Sequence, residues 1–188
     1  MALELLQFKA IYQNLATIDA GFDKLNRGGL SELYLILPSS ISVLPSYNLY
    51  EDATGQFNIN ATHITLLANS EVFRLRFLPD SAKYSETQKE DDNGILYEQI
   101  LKLDLPKTRA EVTWLKHKVR RRRYVAIYRD NNGLVRILGT KERGFQFQFK
   151  EDISGENNFY EVTGKLNALA PAPFWSITGE ITDNITIL

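Results

Sequence analysis

The chain has 188 residues and no cysteine. Disulfides, thiol nucleophiles and thiolate metal sites are therefore excluded, as is a small secreted module held together by bridges. Histidine is nearly missing too. His63 and His117 are the only two, each lacking a neighbouring His or Cys, so metal-ligand spacing is not present. No Gly-rich phosphate loop, nucleophile elbow or carboxylate pair in a recognisable setting occurs. The expectation is a non-enzymatic protein with no catalytic residues, no cofactor and no metal. No apolar run is long enough to span a bilayer, and MALELLQFKAIYQ lacks the basic stretch and unbroken apolar run of a signal peptide, so no membrane partner is expected. Neither sign of charge dominates. With 22 Lys and Arg against 23 Asp and Glu, the net charge is -1, which argues against a surface wholly devoted to nucleic acid and leaves room for a local basic patch.

What remains is an ordinary globular composition, 44% hydrophobic and 24% charged, on a chain long enough for one well-filled core. Gly28-Gly29 breaks the chain, so the expectation is an N-terminal arm or short helix over residues 1–28 and a single β-rich domain over 29–188. LSELYLIL then reads as a core strand stopped by Pro38. QFNIN and HITLL read as a hairpin or two short strands. VFRLRF alternates Phe73, Leu75 and Phe77 with Arg74 and Arg76, the pattern of a strand with one wet face. From Pro79 to Gly94, PDSAKYSETQKEDDNG has so little to bury that a mobile loop is expected.

The stretch from Ile95 to Phe149 organises the rest. ILYEQILKLDL sends Ile95, Tyr97, Gln99, Leu101, Leu103 and Leu105 one way and Glu98, Lys102 and Asp104 the other, until Pro106 ends the strand. Thr108 and Glu111 form a capping box, and Val112, Leu115 and Val119 follow at helical spacing, which predicts a short helix over about residues 109–119. YVAIYRD and LVRILG flank Asn131-Asn132-Gly133, where Asn-Gly suits a primed hairpin turn. FQFQF places Phe145, Phe147 and Phe149 on an aromatic face. FYEVTGKL and ITGEITDNITIL add strands on either side of the proline-interrupted ALAPAPFW. The fold class that follows is mainly β, an antiparallel sandwich or barrel with one short flanking helix.

The conspicuous charge feature is KHKVRRRR, residues 116–123. One reading is phosphate neutralisation beside Tyr124 or Trp114, as in single-strand binders. The other is an interface, and it is favoured because one cluster in a near-neutral chain is a weak nucleic-acid footprint. If Val125 and Ile127 face the core, alternation puts Arg121 and Arg123 on that side and Arg120 and Arg122 with Tyr124 and Tyr128. One pair must then leave the sandwich edge or meet carboxylates. In an oligomer those are Glu90, Asp91 and Asp92 of a neighbour, a run with no regular cation-ligand pattern of its own. Phe174 and Trp175, after Pro171 and Pro173, are either anchors in a neighbouring subunit or plugs at the end of their own sandwich.

Taken together, RGGLSELYLI, GILYEQILKLDLPKTRAEV, RRYVAIYRDNNGLVRILGT and NNFYEVTGKLNALAPAPF resemble, in their order, small virion structural proteins of tailed phages and prophages of Bacteroidetes. The resemblance covers Gly28 to Phe174 and extends to the tail-tube fold, a β-sandwich with a flanking helix that assembles into rings. It implies a virion subunit assembled in the bacterial host cytoplasm: a tail tube, or a neck, terminator or connector ring. The partners it implies are further copies in a homo-oligomer, a hexamer or a ring of other symmetry, and other tail or neck proteins. It also implies DNA passing through the lumen without sequence-specific binding. Lumens in this class tend to be acidic, so the basic cluster departs from the pattern; it belongs at a subunit interface, or the protein belongs to the neck. The alternative of another class is a monomeric nucleic-acid-binding module using residues 116–123.

Overall fold

The structure is a computed structural model that describes residues 28–45, 58–59, 63–78, 80–91, 94–106, 110–154 and 157–188. The strands are β1 (Leu30–Ile36), β2 (Ile41–Val43), β3 (Asn58–Ile59), β4 (Ile64–Leu66), β5 (Val72–Leu75), β6 (Lys83–Asp91) and β7 (Gly94–Pro106). After the helix α1 (Ala110–Val119) come β8 (Arg123–Asp130), β9 (Val135–Leu138), β10 (Phe145–Ser154), β11 (Asn157–Ala168), β12 (Phe174–Trp175) and β13 (Ile185–Ile187). Among the described residues the protein is mainly β with one α-helix, as its patterns predict. Residues 1–27, including the expected arm, and Thr108 of the expected capping box lie outside the described residues.

Among the described residues, ten strands form one sheet and β13, β4 and β2 form a second. The large sheet has two halves. β5, β1, β8, β9, β12 and β3 make one, while β10, β11, β7 and β6 make the other. Among the described residues, their strands pair with each other only where Phe145 and Gln146 face Tyr124 and Arg123. The sheet folds over at that corner, and the two halves enclose a first core that includes Leu33 and Leu35 from β1, Tyr124, Ala126 and Tyr128 from β8, Leu101 and Leu103 from β7, and Phe145 and Phe147 from β10. The small sheet covers the opposite face of the first half. Tyr34, Ile36, Val125, Ile127, Ile64, Leu66, Trp175 and Ile181 build that second core.

The first half is thus a middle layer. This corrects the reading of Val125 and Ile127: they face the second core while their neighbours Tyr124 and Ala126 face the first, so both sides of β8 are buried. A strand covered on both faces loses its alternation and becomes a continuous apolar run, as in YLI of β1 and YVAIY of β8. The other half has one wet face and keeps its alternation: Phe145 and Phe147 are buried while Gln146 and Gln148 are exposed. Gly164 on β11 is part of this packing. A Cβ there would meet the Phe147 ring at 2.5 Å, so only glycine lets that ring lie across the strand.

Two local expectations need correction. Residues 83–91 are not a loop but β6, paired with β7 from Lys83↔Lys102 to Asp91↔Gly94. The entropy of ordering this polar strand is offset by a full backbone ladder, an interaction that hydrophobic patterning does not register. The β8–β9 connection is not a primed two-residue turn. Gly133 N–H donates to the Asp130 carbonyl at 3.1 Å and Gly133 alone has positive φ, +86°, giving a type I turn with a following glycine bulge. The Asp130 carboxylate stabilises it by accepting from the backbone N–H groups of Asn132 and Leu134. Of the two readings of QFNIN and HITLL, the two short strands hold and the hairpin does not: β3 adds in parallel to β12, and β4 joins β2 and β13.

Candidate assembly surface

The folded-over half ends in two unlike strands. On one side, β6 pairs with β7 alone; on the other, β10 pairs with β11 along 146–154 but touches β8 only at Phe145 and Gln146. Among the described residues, neither Lys83–Asp91 nor the stretch 147–154 makes a backbone hydrogen bond on its outer side. Such open edges present rows of unsatisfied N–H and C=O groups.

Inward-facing polar groups fix β6 in place. The Glu86 carboxylate oxygen Oε2 accepts from Tyr84 Oη at 2.7 Å, from Gln99 Nε2 at 3.0 Å and from the backbone N–H of Ala172 at 2.8 Å. It therefore ties the edge strand to β7 and to the segment before β12. Tyr84 packs its ring against Tyr128 with centroids 5.1 Å apart, bridging the two halves. Burial pushes the Tyr84 hydroxyl well above its ordinary range, and donation to Glu86 adds to the effect by favouring the protonated form. Burial also raises Tyr128, which lies beside it. Sequence patterning missed Glu86 because it lies in the polar run read as a loop, and its three donors come from three separate segments.

The structure separates the predicted site residues into three places. Glu90 is exposed near the end of the β6–β7 hairpin, where Asp91 pairs with Gly94; Asp92 lies outside the described residues. Trp175 is not a free anchor: it is 2% exposed and belongs to the second core. Two short strand pairings carry it there, with β3 and β9 on either side of β12. Phe174 is half-buried, with the Arg136 guanidinium 3.9 Å from its ring centroid, so it too is held by its own chain.

The arginines lie where α1 gives way to β8. The Arg120 N–H donates to Lys116 and the Arg122 N–H to Val119, which finishes the helix and turns the chain. The four side chains do not divide between two strand faces, because only Arg123 belongs to the strand; all four are exposed. Within 4 Å, Arg74 and Arg129 pair with Glu32, Lys118 with Glu71 and Lys116 with Glu151. Among the described residues, Arg120 to Arg123 have no such carboxylate. Arg122, Arg123 and Lys141 line an open hollow of about 790 Å³ floored by Leu37, Pro38 and Ser39, with Glu142 as its acidic member. Lys141 reaches it from the β9–β10 connection and donates to the Ser42 carbonyl at 3.2 Å. It was missed in the sequence because it lies far along the chain from the arginine run.

The helix closes the mouth of the sandwich beside this surface. Val112, Leu115 and Val119 pack on the first core, Thr113 meets Tyr160 through their hydroxyls at 3.3 Å, and Lys116 lies over the Tyr160 ring. Trp114 points outward, 53% exposed, with Lys118 Nζ 4.3 Å from its ring centroid. Among the described residues there is no group of three or more His, Asp or Glu side chains able to hold a metal, and no helix long and apolar enough to cross a membrane. Comparisons with protein-family models, with curated proteins and with solved structures found no match.

Proposed function

We propose that this chain is a non-enzymatic structural subunit that assembles with copies of itself into a ring or tube, and that the assembly is the tail tube, or a neck, terminator or connector ring, of a tailed-phage virion. The observation that carries the assembly is the pair of unlike open edges on one sheet, β6 and the outer side of β10. Unlike edges favour a heterologous, head-to-tail contact, which closes into a ring when the rotation permits and otherwise grows as a filament. Strand directions agree: β6, β7, β11 and β10 alternate, so a neighbour's β6 laid against β10 continues the antiparallel order. Lys83 and Lys89 on β6 and Lys150 on β10 discourage indiscriminate pairing. The virion setting and the passage of DNA through the lumen rest on the ordered resemblance of Gly28 to Phe174. A nucleic-acid-binding module is the second reading, favoured by exposed Trp114 beside the basic cluster.

The lack of cysteine gives a clean test. Cysteines are introduced at Ser85, Thr87 or Lys89 on β6 together with Gln148 or Lys150 on β10, and the chain is oxidised. Head-to-tail pairing gives covalent ladders beyond the dimer for at least one combination, visible as rings or tubes by electron microscopy, while each single cysteine stops at dimer. Monomers throughout the panel would overturn the reading.

A further inference from the structure

We infer that the hollow lined by Arg122, Arg123 and Lys141 receives the acidic end of the β6–β7 hairpin, Glu90 and Asp91, from a second copy of this chain. The inference rests on the head-to-tail reading above and supplies what that reading lacks, a feature that sets the register.

The geometry comes from the strand pairings. β8 takes up the outer side of β10 at Phe145 and Gln146, leaving 147–154 open. At about 3.3 Å per residue this opening is about 26 Å long, and the nine residues of β6 span about 30 Å. A neighbour's β6, antiparallel to β10, starts near Ser154 and runs toward Phe147. It has nowhere to continue, because β8 begins there with Arg123. The last residues of the incoming strand, Glu90 and Asp91, therefore arrive against Arg122 and Arg123. The open stretch and the strand match in length, and the strand's acidic end meets the start of β8 where the unpaired arginines stand.

Charge and surroundings fit this occupant. Arg122 and Arg123 have no carboxylate within 4 Å among the described residues, and the hollow's three cations outweigh its single Glu142. Leu37 and Pro38 give it a partly apolar floor, so a docked carboxylate is screened less than on an open surface. Guanidinium groups suit bidentate recognition of a carboxylate. Complementary charge here favours the correct neighbour and penalises a shifted register, where arginine would meet Lys83 or Lys89.

Charge reversal with rescue tests the inference, read as the concentration at which sedimentation shows assembly. Arg122→Glu with Arg123→Glu is expected to raise that concentration at least tenfold, as is Glu90→Lys with Asp91→Lys. The chain carrying all four changes is expected to regain most of the loss. Circular dichroism confirms folding, and Arg122→Gln with Arg123→Gln makes the same test without new negative charge. Reversal variants that assemble like the parent, or four changes no better than two, would overturn the docking. If the cysteine ladders persist in that case, head-to-tail pairing stands and only the dock is wrong; a parent chain that stays monomeric overturns both. Binding of a labelled oligothymidine that is lost in the arginine variants while assembly continues would assign the hollow to nucleic acid instead.

Discussion

The half of the large sheet built on β1 and β8 and the half built on β6, β7, β11 and β10 use similar strands for different ends. The first is a middle layer: Leu33, Ile36, Val125, Ala126 and Ile127 are fully buried, and its two faces supply two cores. The second has one dry face, one wet face and two open edges, and its hairpin of β6 and β7 carries side chains such as Thr87, Gln88, Lys89 and Glu90 in solvent. Burial is deepest in β1 and β8, which are covered on both faces, and the outer half is left able to vary its edges at little cost to the fold. If that division is right, substitutions in the two halves should differ in kind as well as in size.

The largest contrast is in stability. Leu33→Ala, in the middle layer, removes a wholly buried side chain and is expected to cost about 2–5 kcal/mol. Ile95→Ala, near the end of the outer hairpin where Ile95 is 48% exposed, is expected to stay within about 0.5 kcal/mol. Urea unfolding of the two variants checks this. Equal losses would show that the outer hairpin is as much a part of the cooperative core as β1.

A smaller effect comes from pH, where the halves are joined. Burial is the main cause that raises the hydroxyls of Tyr34, Tyr84, Tyr124 and Tyr128 above the ordinary tyrosine value of 10.0. In the unfolded chain these groups lose their protons near that value, while the fold retains them. Above about pH 10 the unfolded state therefore binds fewer protons and stability falls; below it their contribution is fully present. The urea midpoint is expected to be flat with respect to these groups from pH 8 to about 9.5 and to decline beyond about 10, less steeply in Tyr128→Phe. A midpoint unchanged up to about pH 11.5 would count against buried, proton-retaining Tyr84 and Tyr128 where the halves join.

The same contrast explains what the sequence made legible. FQFQF and ILYEQILKLDL belong to the half with one wet face, so alternation named Leu101, Leu103, Leu105, Phe145 and Phe147 as buried, while Ile95 on the same face lies exposed near the hairpin's end, and the helix came through the 3.6-residue spacing of Val112, Leu115 and Val119. The mainly β class followed from such segments. In the middle layer the apolar runs marked strands but not their depth, since a run buried on both sides carries no mark of which neighbour lies on which face. β6 was unreadable for the opposite reason: only Tyr84 and Glu86 turn inward, and Glu86 is held by hydrogen bonds rather than by apolar burial. The arginine run was visible as a cluster, but its hollow needed Lys141 and Pro38 from distant segments. The two readings of Trp175 stayed open in the sequence because partners as remote as β3 and β9 decide its burial.

Hydrogen exchange resolved by residue, on the isolated subunit and on the assembled form, tests the division most directly. Assembly is expected to slow exchange of outward-facing amides in Lys83–Asp91 and in 147–154, and to leave the amides of Leu33–Ile36 and Val125–Ile127 unchanged. Assembly that protects other surfaces and leaves both edges exchanging at the monomer's rate would contradict the proposal that β6 of one copy joins β10 of the next.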